Sequence, residues 1–164
     1  FVIDTSDPTN PIELGNISFP LRGTPSSMFS NTVSRDESRL VLADGSWGAS
    51  GENGILNIFD ISDPTAISKI STVSLPESEG WGNTRATDAV LRGNLMFSAW
   101  LAAGVRATDL SDPANPVQVG RFTSPLTGSP SISDLALLGE DHIVAATVWG
   151  PGVFVLARPD QIQR

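Results

Sequence analysis

The 164-residue sequence contains no cysteine, so disulfides, thiolate metal sites and cysteine nucleophiles are all excluded. Histidine occurs once, at His142. A metal site usually takes two or more histidines, and triad chemistry needs an oriented base beside a nucleophile, so neither is expected there. Basic residues are also scarce. Ten Lys and Arg face eighteen Asp and Glu, giving a formal net charge of -8. That sign argues against nucleic acid and anionic membrane as partners. No apolar run approaches the ~18–20 residues of a membrane-spanning helix, and no membrane insertion is expected. Absence of cysteine is common to every compartment and leans only slightly toward a secreted or surface protein.

What is present suits a folded chain. Hydrophobic residues make up 40% and charged residues 17%, enough apolar matter for a core and too little charge for disorder. Fifteen glycines and twelve prolines suit many short strands joined by tight turns.

One motif recurs. Asp4-Thr5-Ser6-Asp7-Pro8, Asp60-Ile61-Ser62-Asp63-Pro64 and Asp109-Leu110-Ser111-Asp112-Pro113 are near copies, with serines 56 and 49 residues apart. A weaker copy, Ala157-Arg158-Pro159-Asp160, follows. Repetition at this spacing marks a repeat architecture. A short apolar run entered by glycine precedes three of the copies (54–59, 104–108 and 152–156), and Phe1-Val2-Ile3 precedes the first. Further strand-like runs follow the motif at 12–18, 67–74 and 116–123. The motif itself reads as a hairpin turn: proline fixes φ, and Asp and Ser side chains bond nearby backbone amides. Between motifs lie two more strands per interval: 28–33 and 39–44, 86–91 and 94–99, then 132–137 and 142–148. Each second strand runs into a tryptophan, Trp47, Trp100 or Trp149. The repeat is thus four strands and no helix, the pattern of an antiparallel β-propeller blade. A sandwich is the alternative, but it does not require this repetition of turn, tryptophan and glycine.

On these residues, 54–64 and 104–116 above all, the chain resembles the LVIVD-repeat propellers of bacterial secreted and cell-surface proteins. The resemblance implies an all-β propeller of several blades and an extracellular or cell-surface setting, and it implies no reaction. Its last copy departs from the pattern, since Ala157 replaces the strand-end aspartate. Naming the strands of a blade A to D outward from the axis, residues 1–20 give a C–D half blade, 28–75 and 85–124 two full blades, and 131–158 a partial A–C blade. About three and a quarter blades are therefore expected, where a closed ring takes ~4–8. Either further residues or a second copy joined head to tail would complete it; a chain opening inside a strand favours the first.

In propellers the D–A and B–C connections share the rim around the channel mouth. Aligning the repeats places Asn31, Asp88 and Asp134 at one position near the start of the innermost strand, with Trp47, Trp100 and Trp149 in the B–C loops. Such a ring suits a cation or a polar ligand such as a carbohydrate. The structural alternative is that the aspartates accept backbone N–H bonds and the tryptophans pack between blades, which repetition in every blade favours. Two enlarged loops break the repeat. The one from Asp44 to Gly54 offers Asp44, Glu52 and Asn53 as calcium candidates, without the spacing of a calcium loop. The other, 76–83, presents Glu77, Glu79 and Trp81. No catalytic residue stands out. The reading is a non-enzymatic extracellular scaffold for a protein or carbohydrate partner, with calcium the one cofactor to consider. The alternative is a metal-assisted hydrolase or lyase working at the channel mouth.

Overall fold

In the computed structural model the described residues are 1–18, 28–44, 54–76, 84–124, 131–150 and 152–157, with residues 28, 29 and 149 described by backbone alone. These residues form thirteen strands and no helix. The strands are β1 (Val2–Asp4), β2 (Ile12–Gly15), β3 (Met28–Val33), β4 (Arg39–Asp44), β5 (Ile55–Asp60), β6 (Ser68–Val73) and β7 (Asp88–Arg92), followed by β8 (Leu95–Ala99), β9 (Val105–Asp109), β10 (Val117–Phe122), β11 (Ser131–Leu138), β12 (His142–Trp149) and β13 (Val153–Ala157). They pair in chain order into antiparallel sheets: β1–β2, β3 to β6, β7 to β10, and β11 to β13. Their first strands adjoin, with β7 lying beside β3 on one side and β11 on the other. The fold is all-β and propeller-like.

The core lies between the sheets. Side chains alternate along a strand, so each sheet has two apolar faces. Val41, Ala43, Leu56 and Ile58 of the β3–β6 sheet pack on Ala89, Met96, Trp100 and Leu110 of the next. On the far side of that next sheet, Val90, Phe97, Ala99, Val105 and Phe122 pack on Leu135, Ile143, Ala145, Phe154 and Leu156. Phe122 and Phe154 meet across this layer at 5.5 Å between ring centroids. We call the face toward the next sheet leading and the opposite face trailing.

The repeated motif is a double Asx turn. Asp60 Oδ1 accepts the Ser62 amide at 2.9 Å and its hydroxyl at 2.6 Å, and Asp109 Oδ1 accepts those of Ser111 at 2.8 and 2.7 Å. Three residues on, Asp63 Oδ1 takes the Thr65 amide and hydroxyl at 2.9 and 2.7 Å, and Asp7 does the same with Thr9 at 3.0 and 2.7 Å. A carboxylate oxygen thereby replaces backbone partners that a tight turn leaves unmet.

The outermost strands share one irregularity. Register shifts between Val2 and Ile3, between Ile58 and Phe59, and between Gln118 and Gly120 mark a bulge at equivalent positions. Past each bulge stands a small residue: Gly15, Ser71 or Gly120. At Gly15 and Ser71 the small residue lets the next sheet's turn come close. A Cβ on Gly15 would lie 2.1 Å from the Pro64 carbonyl oxygen. Ser71 Oγ donates to the Pro113 carbonyl at 2.7 Å.

At the inner turns, arginines join the sheets. Arg39 donates to Asn94 Oδ1 at 3.1 Å and to the Leu110 carbonyl at 3.3 Å. Arg92 donates to the carbonyls of Gly139 and His142 at 3.1 and 2.8 Å. His142 opens β12 at this end of the sheets, away from the candidate site below.

Candidate functional site

At the start of the innermost strands a cavity of about 440 Å³ is lined by Ser30, Arg85, Thr87, Asp88, Ser133 and Asp134, with Leu101 and Val148 beside them. Three strands from three sheets supply its polar wall. Strand register explains why. Ser30 pairs with Ala43, Asp88 with Ala99 and Asp134 with Ala146, and these partners hold matching places in β4, β8 and β12. Ser30, Asp88 and Asp134 are therefore the equivalent residues.

The expectation that Asn31 shares this position is corrected. Asn31 pairs with Leu42, one step along β3, and lines a separate groove with Val33, Leu40 and Leu42 on the trailing face. A slip of one residue sends a strand side chain to the opposite face. Ser30 stands in its place.

Asp88 is the centre of the cluster. It is buried, and it accepts the Ser30 hydroxyl on Oδ1 and the Leu135 amide on Oδ2, the latter at 2.7 Å. One carboxyl thus ties β7 to β3 and β11. Burial pushes its pKa up; the Ser30 hydroxyl and the Leu135 amide oppose this, while the hydrogen-bonding, like-charged Asp134 carboxyl adds to it. Asp134 is exposed, and its own Oδ1 also accepts the Leu135 amide at 3.1 Å. Two adjoining carboxyls hold a proton more readily than one. Arg85, half-buried in the same wall, has its pKa lowered by burial. Thr87 is fixed by its amide, which donates to the Ala99 carbonyl at 3.0 Å. The cavity thus combines carboxyl, hydroxyl and guanidinium groups within one small volume, which suits a polar, many-oxygened ligand or a cation.

Trp100 does not reach this rim. It is fully buried in the layer between the second and third sheets, and its Nε1 donates to Ser98 Oγ at 2.8 Å. Its position follows from the tight turn after β8, where the Trp100 amide meets the Gly104 carbonyl at 2.8 Å. Gly104 has φ +84°, and a Cβ there would lie 2.1 Å from the Phe122 carbonyl oxygen. The structural alternative, tryptophan as inter-sheet filler, is the one observed at this position. The Trp149 backbone pairs with Ser131, and its side chain lies outside the described residues. Trp47, Trp81, Glu52, Asn53, Glu77 and Glu79 also lie outside them. Asp44 ends β4, buried, and pairs with Ile55. Among the described residues no three His, Cys, Asp or Glu side chains converge on one point.

Sequence reasoning missed Ser30, Arg85, Thr87 and Ser133. Ser30 was within reach, one place from the residue expected. The others carry no signal, being common residues in a loop or next to a bulge.

Comparison with known families matches the LVIVD repeat to residues 1–18 and 49–74. No curated protein matches the chain.

Proposed function

Because the chain carries LVIVD repeats, we propose that it is a non-enzymatic β-propeller scaffold working outside the cell or at the cell surface. In this reading its sheets are blades around one axis, about three and a quarter of them in this chain, and the polar cavity at the mouth of the axis binds the ligand. The observation that carries the reading is the convergence of Ser30, Asp88 and Asp134 from three sheets on one cavity. A solvated surface loop would not need three elements to align. The ligand class that fits is a carbohydrate, or a cation such as calcium held by the same oxygens.

Isothermal titration with calcium chloride and with a panel of neutral disaccharides tests this. Binding of one probe to the wild type, weakened at least tenfold in Asp134→Asn, is the expected result; a tenfold loss corresponds to about 1.4 kcal/mol. If no probe binds, or if binding is unchanged in that variant, the reading is wrong.

The carboxyl pair also favours a second reading, a metal-assisted hydrolase or lyase at the same mouth. Two adjacent carboxyls, of which burial raises the proton affinity of Asp88, are an acid–base arrangement. Turnover with a bell-shaped pH profile, abolished by Asp134→Asn, would replace the scaffold reading.

A further inference from the structure

The innermost strands carry a second polar cluster at their other end. There a groove of about 560 Å³ runs between the turns of three sheets, lined by Arg35 and Arg39 from the first, Arg92 and Asn94 from the second, and Leu137 and Glu140 from the third. Three of the ten Lys and Arg residues thus meet in one groove of a chain whose net charge is -8. The repeat does not call for them. The place of Arg39 in β4 is held by Leu95 in β8 and His142 in β12, and that of Arg92 in β7 by Leu138 in β11.

Holding the joints takes only part of each guanidinium. Arg39 spends Nη1 on Asn94 and the Leu110 carbonyl, and Arg92 spends Nη2 on the carbonyls of Gly139 and His142. A guanidinium carries its N–H donors in a rigid fork, so these bonds fix the head and leave its other terminal nitrogen and Nε to bind elsewhere. Arg92 is held further by the Phe97 ring, whose centroid lies 5.7 Å from its guanidinium carbon. Arg35, beside them, is exposed.

Two carboxylates share the lining, Asp36 and Glu140. Asp36 is already engaged: its Oδ1 accepts the Ser34 and Ser38 hydroxyls at 2.5 and 2.9 Å and the Ser38 amide at 3.2 Å. The arginines outnumber the acids in this lining, and within a Debye length of ~10 Å the local sign outweighs a distant surplus of acids. Leu91 and Leu137 add an apolar side, and the volume is that of a site for a small organic molecule.

We propose that this groove binds a small organic anion, its carboxylate or phosphate oxygens forked by Arg35, Arg39 and Arg92 and its carbon frame lying on Leu91 and Leu137. The site is separate from the cavity at the start of the innermost strands and stands whatever that cavity binds.

Isothermal titration at constant ionic strength tests it, with citrate as the carboxylate probe and fructose 1,6-bisphosphate as the phosphate probe. At least one of them should bind the wild type, and which one does so tells the two acid groups apart. Arg35→Gln leaves the bonds of Arg39 and Arg92 in place and should weaken that binding about fivefold, through loss of a charge-assisted contact. Glu140→Gln removes a charge that repels the ligand and should tighten it about twofold, a gain that arginines serving the joints alone would not give. Asp134→Asn, in the other cavity, should leave it unchanged. All three positions are exposed, so near-UV circular dichroism of each variant should match the wild type. A wild type that binds neither probe overturns the proposal. So does binding that Arg35→Gln leaves intact, that Glu140→Gln fails to tighten, or that Asp134→Asn abolishes.

Discussion

Asp88 and the aspartates of the turns obey one electrostatic rule with opposite outcomes. Burial raises the pKa of Asp88, whereas Asp4, Asp7, Asp60, Asp63, Asp109 and Asp112 are held below their usual range by the hydrogen bonds that they accept in their turns. Asp36 falls to about 2, first through the Ser34 hydroxyl and then through Ser38. A carboxyl with a raised folded pKa adds stability below its unfolded value, ~3.9, and loses it as pH rises through the folded pKa. A lowered one adds stability above the unfolded value and loses it as pH falls through the folded pKa. Acid should therefore weaken the turns while it favours Asp88. Asp88→Asn keeps an oxygen for the Leu135 amide and carries no charge to desolvate. Its unfolding midpoint in urea, relative to wild type, should rise between about pH 4 and pH 8. Parallel profiles for the two proteins would show that Asp88 carries no such burden.

At the level of the strand, the joints depend on small residues and on direct backbone contact. Ser71→Ala removes the bond to Pro113 and should cost about 1 kcal/mol in urea unfolding. Gly104→Ala places a Cβ against the Phe122 carbonyl at positive φ, and should cost more than Ser71→Ala. Equal losses would mean that the chain relaxes freely around Gly104. The same local chemistry decides what could be read in the sequence. The strands at 28–33 and 39–44 are found as β3 and β4, because apolar runs and turn residues bracket them. The turns were legible because Asp, Ser and Pro make their own local bonds. The site was half legible. Asp88 and Asp134 stand where alignment put them, but Asn31 does not, because the turn at 34–38 is longer than the one at 93–94 and β3 carries a shift near Ser30. Counting along a chain cannot resolve one residue across such irregularities, and one residue decides the face. Trp100 is read in a B–C loop with two outcomes, the rim or packing between sheets, and the packing that repetition favours is the one the core holds. The tight turn at Gly104 draws it into the core.

At the scale of the whole molecule, the repeat produces surfaces that match each other, the apolar face of one sheet packing on that of the next. The net charge of -8 makes like charges repel across the molecule at low salt. One more consequence follows from the arginines that bolt neighbouring sheets at their inner turns. Arg39 and Arg92 grip carbonyl and amide oxygens, each a dipole at about 3 Å, and a cloud of counter-ions screens such short contacts far less than it screens distant like charges. Brine should therefore spare the bolts while it relieves the repulsion among the surplus acids. The thermal midpoint should hold or climb as sodium chloride goes from about 0.05 to 0.5 M, so that salty surroundings suit this architecture; a falling midpoint would say otherwise.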